Sequence, residues 1–141
     1  MFKIIAIGKI KERIYHSKID EYIKWIEKYF PIELIFLKEN SSSKLDRKLG
    51  KYLNAEFFKI LLSENGKQMD SRKFTDLIFN QNKKVIFFLG GPHGHTSLVE
   101  SSCDLSLCLS KMTFPHEMAL LILSEQIFRS ISIKNNTVYH R

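Results

Sequence analysis

Disulfides are the first thing this sequence lacks. Its 141 residues hold two cysteines, Cys103 and Cys108. That is too few for a stapled scaffold, and a reducing compartment keeps both as thiols. Proline is scarce at three residues and glycine at six, which excludes collagen-like and low-complexity chains. No apolar run approaches the ~20 residues that a bilayer-spanning helix needs. The opening MFKIIAIGKIKERIYHSK has only a short apolar segment, flanked by charges. It is unlike a secretory signal, so the expected compartment is the cytoplasm. Acid is also in deficit: 15 Asp and Glu against 22 Lys and Arg, a formal net charge of +7. Such an excess suits a polyanionic partner, most simply nucleic acid. The lysines are spread along the chain (Lys3, Lys9, Lys24, Lys44, Lys59, Lys83) with no basic tail, so a general lysine bias explains the charge equally well.

What is present is an ordinary globular composition, 44% apolar and 26% charged. The length fits a single domain over 1–141 with a real core. Short apolar runs alternate with longer amphipathic stretches. Phe2–Ile7, Ile32–Leu37, Phe57–Leu62, Val85–Leu89 and Leu105–Leu109 read as strands. The third is expected to end at the turn residues Ser63, Glu64, Asn65 and Gly66. Helical spacing of Ile19, Ile23 and Ile26 predicts a helix over 17–29, stopped by Pro31. Further helices are expected over 44–55, from an N-cap at Ser71, and from Pro115 to about Ile131. The stretch between the fourth and fifth strands is short and weakly patterned. Strands alternating with helices argue for a parallel α/β sheet covered on both faces. Ligands of such sheets bind beyond the carboxyl ends of the strands. Three segments stand there: Leu62–Gly66, Gly90–His95 and Leu109–Phe114.

Gly90-Gly91-Pro92-His93-Gly94-His95 follows the apolar FFL of the fourth strand. It is neither a Gly-x-Gly-x-x-Gly dinucleotide fingerprint nor a phosphate-binding Gly-Lys-Ser/Thr loop. Glycines at a strand end admit close backbone approach of a ligand; a tight turn with nothing bound needs the same residues. His93, His95, Cys103, Cys108 and His116 lie close in sequence but lack the paired spacing of zinc ligands, so no metal is expected. Cys108, inside an apolar run, reads as a core residue, and Ser106 and Ser110 have no nucleophile elbow. Pro115 opens a helix whose first amides can bind a polar ligand. That helix (Met118, Ala119, Leu120, Leu121, Ile122, Leu123, Ile127, Phe128) is apolar nearly all round, so one side is expected to meet a second copy of the chain. Tyr139-His140-Arg141 places an aromatic ring, an imidazole and a guanidinium at the terminus. These can stack on a base, exchange a proton and grip a phosphate.

FFLGGPHGH, LSKMTFPHEMALLILSEQIFRS and the terminal YHR together resemble the ribosomal RNA large subunit methyltransferase H family. These are small SPOUT-type enzymes that methylate N3 of a pseudouridine in 23S rRNA. The resemblance spans essentially the whole chain. Two positions depart from the family pattern: His93, where an acidic or polar residue is common, and Phe128, where Tyr is common. The resemblance implies an α/β-knot, in which the C-terminal part threads a loop to form a trefoil knot and the S-adenosylmethionine site. The implied cofactor-binding residues are Leu62, Gly90 and the run Leu109, Ser110, Lys111, Met112, Thr113 and Phe114. Gly91 joins them as a close-approach glycine. An obligate homodimer would bring one subunit's tail to the other's cofactor, and the substrate would be assembled ribosomes. His140 is then the candidate base or base-positioning group, Tyr139 the stacking residue and Arg141 the phosphate contact. Two rivals are an rRNA-binding module of the same fold without catalysis, and a small Rossmann-type nucleotide enzyme. The missing dinucleotide fingerprint speaks against the second.

Overall fold

A computed structural model describes residues 1–140. Five strands form one parallel sheet: β1 (Phe2–Ile7), β2 (Ile32–Leu37), β3 (Phe57–Lys67), β4 (Lys84–Leu89) and β5 (Leu105–Leu107), in the order β2-β1-β4-β3-β5. The central strands are apolar at successive positions because both faces are covered. From β1 and β4, Phe2, Ile4, Ala6, Val85, Phe87 and Leu89 point to one side. They meet α1 (Arg13–Glu27), α3 (Ser71–Phe79) and α5 (His116–Lys134). Ile5, Ile7, Ile86 and Phe88 point to the other side, toward Leu45 and Leu49 of α2 (Ser42–Leu49) and Val99 of α4 (Ser97–Ser102). Each such Ile or Phe contributes about 1.5–3 kcal/mol by leaving water.

Several boundaries depart from the expectations, each for a tertiary reason. Residues 63–66 are not a turn: β3 runs on to Lys67 and pairs again with Leu107 after a register shift. Gly66 permits this, since a Cβ there would lie 2.7 Å from the Leu107 backbone. β5 stops at Leu107 rather than Leu109. The Cys108 amide bonds the Lys67 carbonyl at 3.0 Å, and the chain then leaves the sheet. The N-cap of α3 is Asp70, which accepts from the Lys73 amide at 2.8 Å; Ser71 is inside the helix and bonds Gln126. α1 begins at Arg13, a turn earlier than expected, because Glu117 of α5 accepts the Lys11 and Glu12 amides at its start. α2 ends at Leu49 and passes into a 3-10 turn over Gly50–Tyr52. The weakly patterned stretch contains α4, capped by Thr96, whose hydroxyl accepts from the Val99 amide.

α2 and the 3-10 turn after it carry a stripe of cations on their solvent side. Lys44, Arg47 and Lys48 of α2 and Lys51 of the turn are exposed, while Leu45 and Leu49 face the core. Among the described residues, none of the four cations pairs with a carboxylate. By contrast, Lys24 pairs with Asp20, and Lys84 with Glu56.

Candidate functional site

The parallel sheet sends its strand ends the same way, and the later part of β3 and the segments beyond β4 and β5 converge there. They wall a cleft of about 660 Å³, lined by Leu62–Asn65, by Leu89 to Pro92 with Gly94 and His95, and by Leu109, Ser110, Met112, Thr113 and Phe114. Nine of the sequence candidates converge around it; of these, Lys111 alone is not a wall residue. Met112 is 77% exposed, so its side chain is a rim rather than a floor. The walls also include Glu64, Glu100, His116 and Ala119, none of them among the expected cofactor-binding residues. Glu64 lies in the expected segment Leu62–Gly66, whereas Glu100 sits on α4, in the weakly patterned stretch.

The glycine loop is shaped by its own chain. Gly91 and Gly94 face each other in a short antiparallel bridge, with the Gly94 amide on the Gly91 carbonyl at 3.0 Å. A Cβ on Gly90 would lie 2.8 Å from the Gly94 backbone, and one on Gly91 would overlap the Glu39 carboxylate. The missing side chains therefore admit protein first. Two histidines tie the walls together. His95 Nε2 lies 2.8 Å from the Leu62 carbonyl, so it donates across the gap from β4 to β3. Burial pushes its imidazole below the usual value, against smaller opposing effects of that bond and Glu100. His116 Nδ1 donates to the Gly90 carbonyl at 3.0 Å. Its Nε2, a lone pair, is buried without a partner.

The cysteines are chemically quiet. Cys108 is buried, and burial pushes the Cys103 thiol up to about 12. Among the described residues, no group of three His, Cys, Asp or Glu side chains could hold a metal ion. None of their helices is long and apolar enough to cross a membrane.

Tyr139 and His140 lie apart from this chain's own cleft and fold back on α5 and α1. The Tyr139 hydroxyl donates to Glu125 Oε2 at 2.8 Å and lies 3.2 Å from the Tyr22 hydroxyl. Its ring packs edge-on against Phe128, with the Arg129 guanidinium 5.0 Å from its centre. Burial, then these hydroxyl and carboxylate contacts, raise its phenol above the usual value. Tyr139 is thus held at its hydroxyl and against Phe128, and stays half-buried. Arg129 is paired with Glu125 at 2.7 Å and reaches His140 Nδ1 at 3.0 Å. Arg141 lies outside the described residues. A second cleft, of about 830 Å³, opens between α1 and α5 and is lined by Ile14, Tyr15, Lys18 and Leu121 among others. Ile14 is 74% exposed in it.

The chain matches known proteins along nearly its whole length. Residues 1–140 match the family described as "Predicted SPOUT methyltransferase". A protein of Prochlorococcus marinus (strain MIT 9215) named Ribosomal RNA large subunit methyltransferase H is 39% identical over 141 residues, covering 99% of this chain and 95% of the relative. One of Malacoplasma penetrans with the same name is 37% identical over 156 residues, covering 99% and 98%. Among solved structures, a probable methylase family protein from Haemophilus influenzae superposes with a TM-score of 0.61. It covers 99% of this chain and 70% of that one, and at 11% identity the likeness is one of fold alone.

Proposed function

The chain belongs to the SPOUT methyltransferase family, and on that premise we propose that it methylates N3 of a pseudouridine in 23S rRNA, within assembled ribosomes, using S-adenosylmethionine. The observation that carries this reading is the cleft where Leu62, Gly90 and Leu109–Phe114 meet. Its residues fit the cofactor. The volume is that of a small-molecule site, and Leu62, Leu89, Leu109 and Phe114 offer apolar walls for a flat base. Glu64 and Glu100 offer carboxylates to a cation. When bound, S-adenosylmethionine supplies an electrophilic methyl on a positively charged sulfur. The protein's own work is to position, to exclude water and to stabilise the charge left on the base.

The polypeptide from β5 onward would be threaded as a trefoil knot, and 1–141 would act as a single domain in the cytoplasm. Two copies would pair through α1 and α5, whose shared cleft exposes Ile14 beside Leu121. Pairing would bring the tail of one copy to the cofactor cleft of the other, which suits a tail that stays clear of its own. Tyr139, anchored through its hydroxyl, would stack on the nucleobase, His140 would meet it and Arg141 would grip phosphate. The cation stripe of α2 would meet rRNA phosphates. A non-catalytic rRNA-binding module would have no need of the cleft, and the relatives of full length are named as methyltransferases.

The test is methyl transfer to ribosomes from a strain lacking this enzyme, followed by nucleoside mass analysis. The expected product is an N3-methylated pseudouridine. His140→Ala should bind the cofactor near normally and transfer methyl about 10²–10⁴-fold more slowly. Methylation of a different base, or full turnover by His140→Ala, would overturn the substrate or the assigned residue respectively.

A further inference from the structure

We propose that Arg129 fixes the tautomer of His140, so that the tail presents an Nε2–H donor rather than a lone pair. The inference rests on the methyltransferase reading above, because it assigns His140 its role there. A guanidinium has five N–H donors and no acceptor. Its Nη1 lies 3.0 Å from His140 Nδ1. An Nδ1–H would face a group with nothing to receive it, so Nδ1 holds the lone pair and the ring proton sits on Nε2. A flipped ring would present carbon to the guanidinium and lose the bond.

Arg129 is held in place to do this. Its Nε and Nη2 donate to the Glu125 carboxylate at 2.7–3.3 Å, which leaves Nη1 for His140. Hydrogen bonding to Glu125 raises its already high pKa, so it stays a cationic donor. Glu125 is fixed in turn by Gln126 and Tyr139, both at 2.8 Å. The His140 amide donates to Ser132 Oγ at 3.3 Å, which holds the tail backbone. The imidazole is therefore pinned at its main chain and at Nδ1, and Nε2 is its remaining polar atom.

This changes the chemistry assigned to the tail. N3 of the substrate base lies between two carbonyls. In the transfer, the S–CH3 bond breaks with its electron pair remaining on sulfur, the N3–CH3 bond forms, and the N3 proton leaves to solvent water. Negative charge moves onto the flanking carbonyl oxygens as that proton leaves. His140 Nε2–H stabilises it there by donation and does not accept the proton. Arg129 is the positioning residue that makes His140 a donor.

Two-bond proton–nitrogen correlations on the 15N-labelled full chain read the tautomer directly, with His140 assigned by its absence in His140→Gln. The expected pattern is protonated Nε2 with unprotonated Nδ1, kept in Arg129→Lys and lost to tautomer averaging in Arg129→Met. Protonated Nδ1 in the unmodified chain, or an unchanged pattern in Arg129→Met, would overturn the assignment. This arm needs no substrate, so it stands or fails apart from the methyltransferase reading. In turnover, His140→Gln keeps an N–H near the Nε2 position but cannot act as a base. It should retain kcat at least tenfold above His140→Ala; equal losses would return His140 to the role of base.

Discussion

His95 joins two walls of the cleft with a single imidazole, donating from β4's loop to the Leu62 carbonyl of β3. The bond needs a proton on Nε2 only, and burial already disfavours a second. The linkage has a definite sign. The unfolded chain binds the extra proton at its ordinary pKa of about 6.5, before the folded chain does, so stability rises with pH across that range. Acidification through about pH 6.5 should therefore weaken the fold, and the loss should level off below the lowered folded value. Urea unfolding at pH 7.5 and pH 5.5 measures it. His95→Gln, which keeps a donor but does not titrate, should lose less stability between the two pH values than the unmodified chain. Equal losses would mean that another group carries the acid sensitivity. The neighbouring Gly91 makes a related point: its bare Cα is matched to the Glu39 carboxylate, so the loop's glycines serve closure of the loop before any ligand arrives.

At the scale of elements, α2 is the clearest candidate for work outside the cleft. Cations at 44, 47, 48 and 51 follow helical spacing, and the two buried leucines turn that face outward. Replacing all four with Gln should weaken ribosome binding and flatten its salt dependence. The slope of log K against log salt should fall by roughly 0.7–0.9 for each phosphate that is no longer neutralised. Cofactor affinity should be unchanged, and neutralising the paired Lys24 and Lys84 should leave the slope as it was. An unchanged slope in the α2 variant would place the docking surface elsewhere. This helix was legible from sequence because its core pattern is local. So were the five strands, since the apolar runs of β1, β4 and the first part of β3 are largely buried. What was not legible depends on distant partners. The start of α1 waits on Glu117, more than a hundred residues away. The run of β3 through Asn65 and Gly66 depends on Leu107. The cofactor candidates were legible largely through family resemblance; their convergence followed from a parallel sheet ending all its strands on one side. Glu100 belongs to no motif and shows itself only as a wall, while Glu64 and His116 lie in segments the sequence marks without assigning them to the cofactor.

For the whole molecule, the separation of tail and cleft is the decisive geometry. One chain has a cofactor-sized cleft at the strand ends and a tail network on the α1–α5 side. If two copies complete each other, breaking the α1–α5 face should separate binding from chemistry. Ile14→Asp with Leu121→Asp should shift sedimentation from dimer to monomer and leave the cofactor dissociation constant within about threefold. Methyl transfer should fall by about 10²-fold or more, since removing one oriented catalytic group costs that much. A fully active monomer would show that each chain serves itself.

The strand order β2-β1-β4-β3-β5 also sets a timetable for synthesis. β1 can pair with β2 once some forty residues have emerged, but its other edge waits for β4. β3 has no partner until β4 has left the ribosome, and its other edge waits for β5, because both of its neighbours follow it in the chain. A nascent chain that has reached residue 80 thus carries Phe57–Leu62, six residues rich in Phe, Ile and Leu, with neither edge covered. Such a segment is open to pairing with other chains. Folding of this protein is consequently gated by translation of residues 84–107, and the interval before they appear is when a chaperone has most to protect.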